Sequence, residues 1–520
     1  MLRTDLIASV PELLKRQASA RGNKVAYRDA RGAVTYGELE ARTARLAGHL
    51  ADLAVGTGDT VAMLMPNSIQ WIETSFAVTR AGAVGVPIPY ESAEPEIAYR
   101  LADAGCRAIV TTVERGALVA RLRSQMPNLR TIITAGREDD ATDALAYADL
   151  MVTAPKSAPR DPADIHTPAY IIYTSGTTGR AKGVLLTVHG MLWVVAACEA
   201  PILGLSERDS VLSPLPLFHS YALNLCVLGV LATGASEYIM ERYSTGEATR
   251  LLRSGQFTVF PGVPTMFHYL LQAAQADADL GFPNLRLFVS AGAIMPATLN
   301  RAFEERFDVK LLDGYGITET STFVTMNWPS GGRVLGSCGL PLPGLAVRIV
   351  DPLNGADLPS GHEGELIVRG PNLMPGYHNK PQETAAALRD GWYYTGDLAK
   401  SDENGFLTIT GRLKELIIRG GQNIAPAEIE EAVNKYGPVL DCAVVGAAHE
   451  HLGEVPVVFV VPRPGSVIDA DALLRHCRSH LSAYKIPHAV RFVAEIPRTG
   501  SGKIIRYKLR EGLEAESLKV

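Results

Sequence analysis

The chain has 520 residues, of which 47% are hydrophobic and 20% charged, and 50 Lys and Arg stand against 55 Asp and Glu, for a net charge of −5. At about 150 residues per domain, this length predicts two to four folding units. The composition is that of an ordinary globular protein. Since the charge is nearly balanced, nothing attracts the chain as a whole to nucleic acid or to an anionic membrane.

The cysteines and the apolar segments bear on the cell compartment. No two of the six cysteines form a C-x-x-C pair, which disfavours a disulfide framework or zinc site and predicts a reducing cytoplasm. The N-terminal stretch carries Asp5 and Glu12 and lacks an apolar core, so we do not expect a secretory signal. The most apolar region, 223–240, is interrupted by polar residues such as Glu237, which favours buried core over a membrane span.

Strand and helix patterns alternate through about the first 400 residues. Residues 68–88 predict a helix, a glycine-rich stop and a strand. Apolar runs predict further strands at 60–66, 106–112, 131–135, 211–216, 257–264 and 285–293. Alternation at this spacing favours parallel sheets covered by helices.

A change of scale near Gly411 indicates a second unit. The smaller elements predicted there are a hairpin at 403–412, a helix at 423–437, strands at 440–447 and 454–465, a helix at 469–487 and a final strand at 488–497. We therefore predict an N-terminal domain at 1–411 and a small α+β C-terminal domain at 412–520. The stretch HEHLGE at 449–454 is not H-E-x-x-H, and it predicts a surface turn rather than a metal site.

The stretch YTSGTTGRAKG at 173–183 follows a predicted strand and combines hydroxyls, glycines and Lys182. Glycines let backbone N–H groups turn toward an anion, and a lysine adds positive charge, which suits phosphate. It is not a P-loop, because Ala181 stands where that pattern requires glycine and Gly183 replaces the Mg²⁺-binding hydroxyl. On composition alone, a flexible surface loop is an equal alternative.

Further polar segments contain the other parts of a nucleotide site. They are SAGA at 290–293, DGYGITE at 313–319, YTGD at 394–397, Gly411-Arg412 and the terminal GSGK with Lys503. In α/β folds, ligands bind where loops meet at the carboxyl ends of strands. A nucleotide site needs a ring for the base, a carboxylate for the ribose, donors for phosphates and a carboxylate for Mg²⁺. These segments include one of each.

With these motifs in this order, the chain resembles the adenylate-forming superfamily of acyl- and aryl-CoA synthetases, adenylation domains and luciferases, and is most similar to coumaroyl-type CoA ligases. The resemblance covers nearly the whole length. It implies a large N-terminal α/β domain of parallel-rich sheets with a small β subdomain, and a small mobile α+β C-terminal domain. It also implies that a carboxylic acid and ATP give acyl-AMP and pyrophosphate, after which the thiol of CoA displaces AMP.

The resemblance implies a role for each nucleotide-side residue. The loop around the β- and γ-phosphates would comprise Thr174, Ser175, Gly176, Thr177, Thr178, Gly179 and Lys182. The residues around adenine would be Gly292, Asp313, Gly314, Tyr315 and Gly316, with Tyr315 stacked on the ring. Thr318 would contact the α-phosphate and Glu319 would hold Mg²⁺. Asp397 and Arg412 would bind the ribose. The alternatives are a packing ring for Tyr315, a turn residue for Asp397 and a helix N-terminal charge for Glu319.

The C-terminal residues would act in both half-reactions. Lys503 would bridge the acid carboxylate and the α-phosphate, and a solvated loop lysine is its alternative. Because a thiol must later approach the same carbon, the C-terminal unit is expected to rotate about Lys414. That rotation would turn Gly420 and Gly421 toward a CoA channel. A simple strand and turn joining two domains is the alternative for this segment.

The stretch LPLFHSYALN at 215–224 resembles the acyl-pocket segment of CoA ligases. The implied pocket residues are His219, Tyr221, Ala291, Gly314 and Phe323, with His219 beside the reacting carboxylate unless it is a buried structural histidine. Ala291 stands where many relatives have glycine, and Phe323 where coumaroyl-CoA ligases have a smaller aliphatic residue. We therefore expect a tighter or differently shaped cavity. Residues 218–230 include no acidic side chain, which disfavours an amino-acid substrate.

Three functions are compatible with these motifs. The first is an acid–CoA ligase for aryl or fatty acids, as a monomer or homodimer. The second is a stand-alone ligase that loads an acyl carrier protein. The third, a non-catalytic nucleotide-binding homologue, would be favoured by lost catalytic residues, and none of the motif residues is lost. A luciferase-like oxygenase shares the same motifs.

Overall fold

The computed structural model describes residues 2–136, 144–174, 181–420, 422–498 and 503–517. The strands are, in chain order, β1 Val25–Asp29, β2 Gly32–Thr35, β3 Thr60–Leu64, β4 Val84–Pro87, β5 Ala108–Thr112, β6 Thr131–Ala135, β7 Leu145–Ala146, β8 Pro168–Thr174, β9 Lys182–Thr187, β10 Ser210–Ser213, β11 Ser236–Ile239, β12 Val259–Gly262, β13 Leu287–Ser290, β14 Lys310–Ile317, β15 Thr322–Met326, β16 Leu340–Pro341, β17 Ala346–Val350, β18 Gly364–Arg369, β19 Leu388–Arg389, β20 Trp392–Ser401, β21 Leu407–Arg412, β22 Ile417–Arg419, β23 Gln422–Ile424, β24 Val439–His449, β25 Gly453–Pro462 and β26 Ala489–Phe492.

The α-helices are α1 Val10–Arg21, α2 Tyr36–Asp52, α3 Ile69–Arg80, α4 Glu94–Asp103, α5 Val113–Arg123, α6 Tyr147–Val152, α7 Val188–Val194, α8 Ser220–Ala222, α9 Val230–Thr233, α10 Thr245–Arg253, α11 Pro264–Ala276, α12 Ala297–Phe307, α13 Pro381–Ala387, α14 Pro426–Asn434, α15 Ala470–His480 and α16 Arg506–Ser517. Two π-helical segments, Val195–Glu199 and Leu223–Gly229, continue α7 and α8. Short 3₁₀ turns cover Thr4–Leu6, Thr318–Thr320, Leu413–Glu415 and Ala483–Lys485.

Two large sheets form the N-terminal part. One has the order β16-β15-β14-β13-β12-β10-β11-β1-β2, with parallel pairing from β14 through β1. The other has the order β7-β6-β5-β3-β4-β8-β9 and is parallel except between β8 and β9. Central strands such as β3 and β13 are buried along their whole length, as expected when helices cover both faces of a sheet. The predicted α/β class is confirmed.

Two smaller sheets follow. Strands β17–β21 form an antiparallel sheet in which β21 pairs with β20, and it corresponds to the small β subdomain. Strands β22–β26 form the last sheet, flanked by α14, α15 and α16. This C-terminal unit has apolar cores of its own, one around Ile417, Val444 and Val458 and another around Phe459 and Leu509. The boundary at 411 and 412 remains a prediction.

Local readings of the sequence mostly match these elements. Pro426 opens α14, whose Ile429, Ala432 and Val433 are buried. The stretch at 449–454 contains the turn between β24 and β25, which is formed by residues 450–452. Helix α16 lies outside the predicted elements, because its sequence is mostly polar and few apolar residues such as Leu509 mark a buried face. No helix in the described ranges is both long and apolar enough to cross a membrane.

Candidate active site

The phosphate-loop strands end beside Glu319. Thr174 closes β8 and pairs with Lys182, the first residue of β9, whereas Ser175, Gly176, Thr177, Thr178 and Gly179 lie outside the described residues. The Lys182 ammonium lies 5.1 Å from the centre of the Tyr377 ring. The Tyr377 hydroxyl donates to Glu319 Oε1 at 3.0 Å. Tyr377 thus links the lysine of one motif to the carboxylate of another.

A second polar group joins three of the predicted nucleotide residues. Asp397 on β20 is opposite Arg412 on β21, and Arg412 Nε lies 2.7 Å from Asp397 Oδ1. The Tyr315 hydroxyl donates to Asp397 Oδ2 at 2.6 Å. The Asp397 charge raises the pKa of the Arg412 guanidinium further above its usual value. Because both carboxylate oxygens have donors, Asp397 is held as a buried anion.

A small cavity of about 20 Å³ lies next to these groups. Its walls come from the ends of β13 and β14, the start of α8 and the C-terminal segment, and they comprise His219, Ser220, Tyr221, Ala291, Gly292, Gly316, Ile317, Thr318, Thr322, Phe323 and Lys503. Lys503 and His219, 284 positions apart in the sequence, therefore share one cavity.

His219 is held in one orientation by the helix that it starts. It is the N-cap of α8, where its Nδ1 accepts from the Tyr221 backbone N–H at 3.2 Å. Burial and the positive charge of Lys503 lower the pKa of His219 to about 3. The neutral ring with Nδ1 as acceptor carries its proton on Nε2.

Lys503 lies among charges of both signs. Burial and the nearby Arg412 lower the pKa of Lys503, while the carboxylates of Asp397, Glu319 and Glu415 oppose that shift. The charges of Arg412, Asp397 and Glu319 on the nucleotide side thus act on the Lys503 ammonium inside the cavity.

The wall at 321–322 is strained and tightly held. Ser321 and Thr322 have φ angles of 51° and 107°, a region that a β-branched residue rarely adopts. The Thr322 hydroxyl donates to the Ser220 carbonyl at 3.0 Å, and the Asn224 amide donates to the Ser321 carbonyl at 2.7 Å. A Cβ on Gly316 would lie 1.5 Å from the Thr322 carbonyl oxygen, so only glycine fits there.

The predicted acid-pocket residues are brought together, apart from Gly314. The Tyr221 and Phe323 rings meet edge to face, 5.4 Å between centroids, and the Tyr221 hydroxyl donates to the Val289 carbonyl at 3.0 Å. Ala291 lies on the same cavity wall, but Gly314 instead faces Met326 and the Thr325 carbonyl. The pocket floor is therefore aromatic.

Asp313 is buried behind the cavity. Its Oδ1 has no hydrogen-bond partner within the described ranges, and burial raises the pKa of its carboxyl well above the usual value. An orphaned acceptor of this kind is commonly satisfied by a ligand or water.

Two of the residues assigned to the second half-reaction lie in the connection from β21 to β22 and in the β22–β23 hairpin. Lys414 is in the Leu413–Glu415 turn that joins β21 to β22. Gly420, with φ of 56°, donates its N–H to the Leu452 carbonyl at 2.7 Å at the tip of the β22–β23 hairpin. Gly421 lies outside the described residues.

Sequence reasoning missed Tyr377. This residue belongs to no recognisable motif, and only its contacts with Lys182 and Glu319 reveal it. For metal binding, Glu319 is the candidate ligand, and no cluster of three or more His, Cys, Asp or Glu suited to a metal occurs in the described part of the chain.

Comparison with known proteins gives matches over nearly the whole chain. The family model described as AMP-binding enzyme matches residues 14–378, and the AMP-binding enzyme C-terminal domain matches 428–503. A feruloyl-CoA synthase from an Amycolatopsis species is 36% identical over 95% of this chain and 97% of its own. An anthranilate CoA ligase with bound anthranoyl-AMP has a TM-score of 0.93 at 26% identity, with both chains fully covered. ATP-bound MatB from Rhodopseudomonas palustris has a TM-score of 0.88 at 30% identity, covering 96% and 98%.

Proposed function

Because the chain belongs to the AMP-binding enzyme family, we propose that the residues around the Lys503 cavity carry out the two half-reactions of an acid–CoA ligase. The protein is an AMP-forming acyl-CoA synthetase: ATP with Mg²⁺ activates a carboxylic acid, and CoA accepts the acyl group. The observation that supports these residue roles most is Lys503, which shares one cavity with His219 and Thr318.

The nucleotide would bind along the polar edge. Asp397 would accept from the ribose hydroxyls while Arg412 and Tyr315 hold its carboxylate in place. The Tyr315 ring, fixed by that hydrogen bond, would offer a flat face to adenine. The buried Oδ1 of Asp313, which has no partner among the described residues, would accept from a donor on the base, with the backbone of Gly292, Gly314 and Gly316 around the ring.

The phosphates would extend toward β8 and β9. Residues 174–179 and Lys182 would surround the β- and γ-phosphates, and Thr318 would contact the α-phosphate. Glu319 would hold Mg²⁺, and its single carboxylate fits an ion that takes its remaining ligands from phosphates and water. The bound ion would supply neutralisation of the phosphate charge.

Acid activation would depend on alignment and on charge stabilisation. The acid carboxylate attacks the α-phosphorus, and pyrophosphate leaves. The Lys503 ammonium would attract both the carboxylate and the α-phosphate as they come together. Neutral His219 would donate from Nε2 toward the carboxylate, so no proton transfer is needed at this residue.

Thioester formation would need a different arrangement of the C-terminal unit. While Lys503 occupies the cavity, it stands where a thiol would approach the acyl carbon. Rotation about Lys414 would withdraw it and would turn Gly420 and Gly421 toward the pantetheine arm of CoA. The two units that rotate relative to each other would be 1–411 and 412–520.

We infer that the acid is aromatic. The pocket floor is an aromatic pair, Tyr221 and Phe323, and the Ala291 methyl on the wall narrows the pocket. The feruloyl-CoA synthase and the anthranilate CoA ligase are both named for aromatic acyl groups. A fatty acid of medium length is the alternative. We also propose a reducing, cytoplasmic compartment, since the six buried cysteines are free thiols, and a monomer or homodimer.

A panel assay tests the function. The protein is incubated with ATP, Mg²⁺ and one acid at a time, from aryl, arylacrylic and medium-chain series, and AMP is measured with and without CoA. We expect aromatic acids to give sustained AMP release only when CoA is present. Equal release without CoA would contradict the CoA ligase, and turnover that needs an acyl carrier protein instead would identify the carrier-loading alternative.

A further inference from the structure

The segment 372–378, between β18 and α13, is bound along one side to strand β9. The His378 backbone N–H donates to the Gly183 carbonyl at 2.7 Å. The Leu185 N–H donates to the Gly376 carbonyl at 3.1 Å. Strand β9 begins where the glycine- and hydroxyl-rich loop ends. The segment is therefore fixed to the strand that carries the lysine assigned to the phosphates.

On its other side, the segment is bound to the turn that carries Glu319. The Met374 N–H donates to the Glu319 carbonyl at 2.8 Å. The side-chain amide of Asn372, which has no exposed surface, donates to the Thr320 carbonyl at 2.8 Å and to the Phe323 carbonyl at 3.1 Å. These hydrogen bonds hold the turn in a fixed position relative to β9.

The Tyr377 side chain joins the two sides. Its ring centre lies 5.1 Å from the Lys182 ammonium, within the range of attraction between a cation and an aromatic face. Its hydroxyl donates to Glu319 Oε1 at 3.0 Å. Because that hydroxyl has a single proton, the Tyr393 hydroxyl at 3.3 Å is the donor to the Tyr377 oxygen. The carboxylate thus accepts from the last of two hydroxyls that polarise one another.

We propose that Tyr377 is a positioning residue for Mg²⁺ and ATP: its hydroxyl orients the Glu319 carboxylate for the ion, and its ring holds the Lys182 ammonium toward the phosphates. This rests on the proposed acid–CoA ligase function and on the role of Glu319 within it. A carboxylate that binds a metal is in turn hydrogen-bonded, and loss of such a bond typically weakens metal binding by about 10- to 100-fold. One side chain would then couple the two groups that meet the triphosphate.

The hydroxyl and the ring can be removed separately. The backbone contacts of the segment do not involve the Tyr377 side chain, and the Tyr377 N–H donates to the Thr384 hydroxyl at 2.9 Å. Tyr377→Phe therefore removes the hydroxyl and keeps both the fold of the segment and the ring beside Lys182. Tyr377→Leu removes the ring as well.

The test is the affinity of the protein for α,β-methylene-ATP, an analogue whose α–β bond cannot be cleaved, measured by calorimetry in saturating Mg²⁺ and in EDTA. The dissociation constant in EDTA divided by that in Mg²⁺ is the Mg²⁺ ratio. We expect Tyr377→Phe to lower this ratio by at least about 10-fold, while its affinity in EDTA stays within about 2-fold of wild type. Tyr377→Leu should lower the ratio equally and should also weaken binding in EDTA by about 3-fold or more, since Lys182 loses the ring.

Tyr27→Phe is the matched control. Tyr27 is buried on β1, and its hydroxyl donates to the Val227 carbonyl at 2.7 Å. Its removal should leave the Mg²⁺ ratio within about 2-fold of wild type, as expected for an independent site. Glu319→Ala supplies a second test, because a hydroxyl that acts through this carboxylate has nothing to orient once the carboxylate is gone. In that background Tyr377→Phe should change the ratio by less than about 2-fold.

Three outcomes would overturn the role of the hydroxyl: an unchanged Mg²⁺ ratio in Tyr377→Phe, a fall of equal size in Tyr27→Phe, or an additive loss in the Glu319→Ala background. Unchanged affinity in EDTA for Tyr377→Leu would overturn the role of the ring. All of these outcomes leave acid-dependent AMP formation by the wild type intact, whereas failure of every acid to give AMP would refute the proposed function instead.

Discussion

The nucleotide side and the acid side of this cavity are held together in different ways. On the nucleotide side, Asp397, Arg412 and Tyr315 already hold one another through an ion pair and a hydrogen bond, and Lys182 and Glu319 meet at Tyr377. On the acid side, contacts are mainly between rings, and acceptors behind them have no partner among the described residues.

The difference indicates which side is common to many acids and which side selects one. Preorganised polar groups act on ATP, which is the same in every reaction, and they require fixed geometry. An aromatic pocket discriminates mainly by shape and size. Changes on the nucleotide side should therefore affect all acids alike, and changes on the acid side should re-rank them.

The largest effect is expected for Lys503→Ala. Loss of one charge-stabilising donor should reduce acid-dependent ATP–pyrophosphate exchange by about 10² to 10³-fold for every acid. Transfer of pre-made acyl-AMP to CoA should continue. Lys508→Ala is the control, because Lys508 is exposed on α16. An equal loss in both half-reactions would contradict a role confined to adenylation. A change in the ranking of the acids would contradict the prediction that changes on the nucleotide side affect all acids alike.

Lys414→Pro should separate the two half-reactions. Proline fixes φ near −65° and removes an N–H, which would penalise one orientation of the C-terminal unit. We expect adenylation to survive and thioester formation to fall by at least about 10-fold, measured as acyl-CoA formed from pre-made acyl-AMP. Lys414→Ala keeps the backbone free and serves as the control. Full overall turnover in the proline variant would place the hinge elsewhere.

Phe323→Ala should re-rank acids rather than abolish activity. Each methylene in an apolar pocket contributes about 1–3 kcal/mol of discrimination, so kcat/KM should shift by about 10-fold or more toward bulkier acids, with little change in the KM for ATP. Measurement of kcat/KM across a series of acids of increasing size, for wild type and variant, tests this shift. An unchanged ranking would remove Phe323 from the pocket.

The smallest effect concerns His219 and pH. Its pKa is lowered from 6.5 to about 3 in the folded chain, so between these values the unfolded state binds more protons, and stability falls as pH falls below about 6.5. The free energy of unfolding should change by at most about 1.4 kcal/mol per pH unit. His219→Asn keeps an N-cap acceptor without titrating. Urea unfolding of both proteins at pH 7, 6 and 5 should show the wild type losing more stability; a constant difference would contradict the shift.

The sequence predicted the alternating sheets because apolar strands such as 60–66 and 106–112 are local patterns. It also singled out Tyr315, Asp397 and Arg412, because they lie in short motifs. It could not predict their pairing, which depends on the register of β20 against β21.

The acid side was less predictable, for a physical reason. Tyr221 and Phe323 are 102 positions apart, and only the tertiary packing brings their rings edge to face. The absence of an acidic residue at 218–230 disfavours an amino-acid substrate. It carries no information on which side chains from other elements line the pocket.

The entry of Lys503 into the cavity has a consequence for heat denaturation. The C-terminal unit has cores of its own, and a unit of that kind can open at a lower free energy than the rest. A tight acyl-AMP analogue would contact both the large unit and Lys503. It would then stabilise both by mass action, and two calorimetric transitions would merge into one. The lysine that completes the cavity would also determine whether the chain melts as two bodies or one.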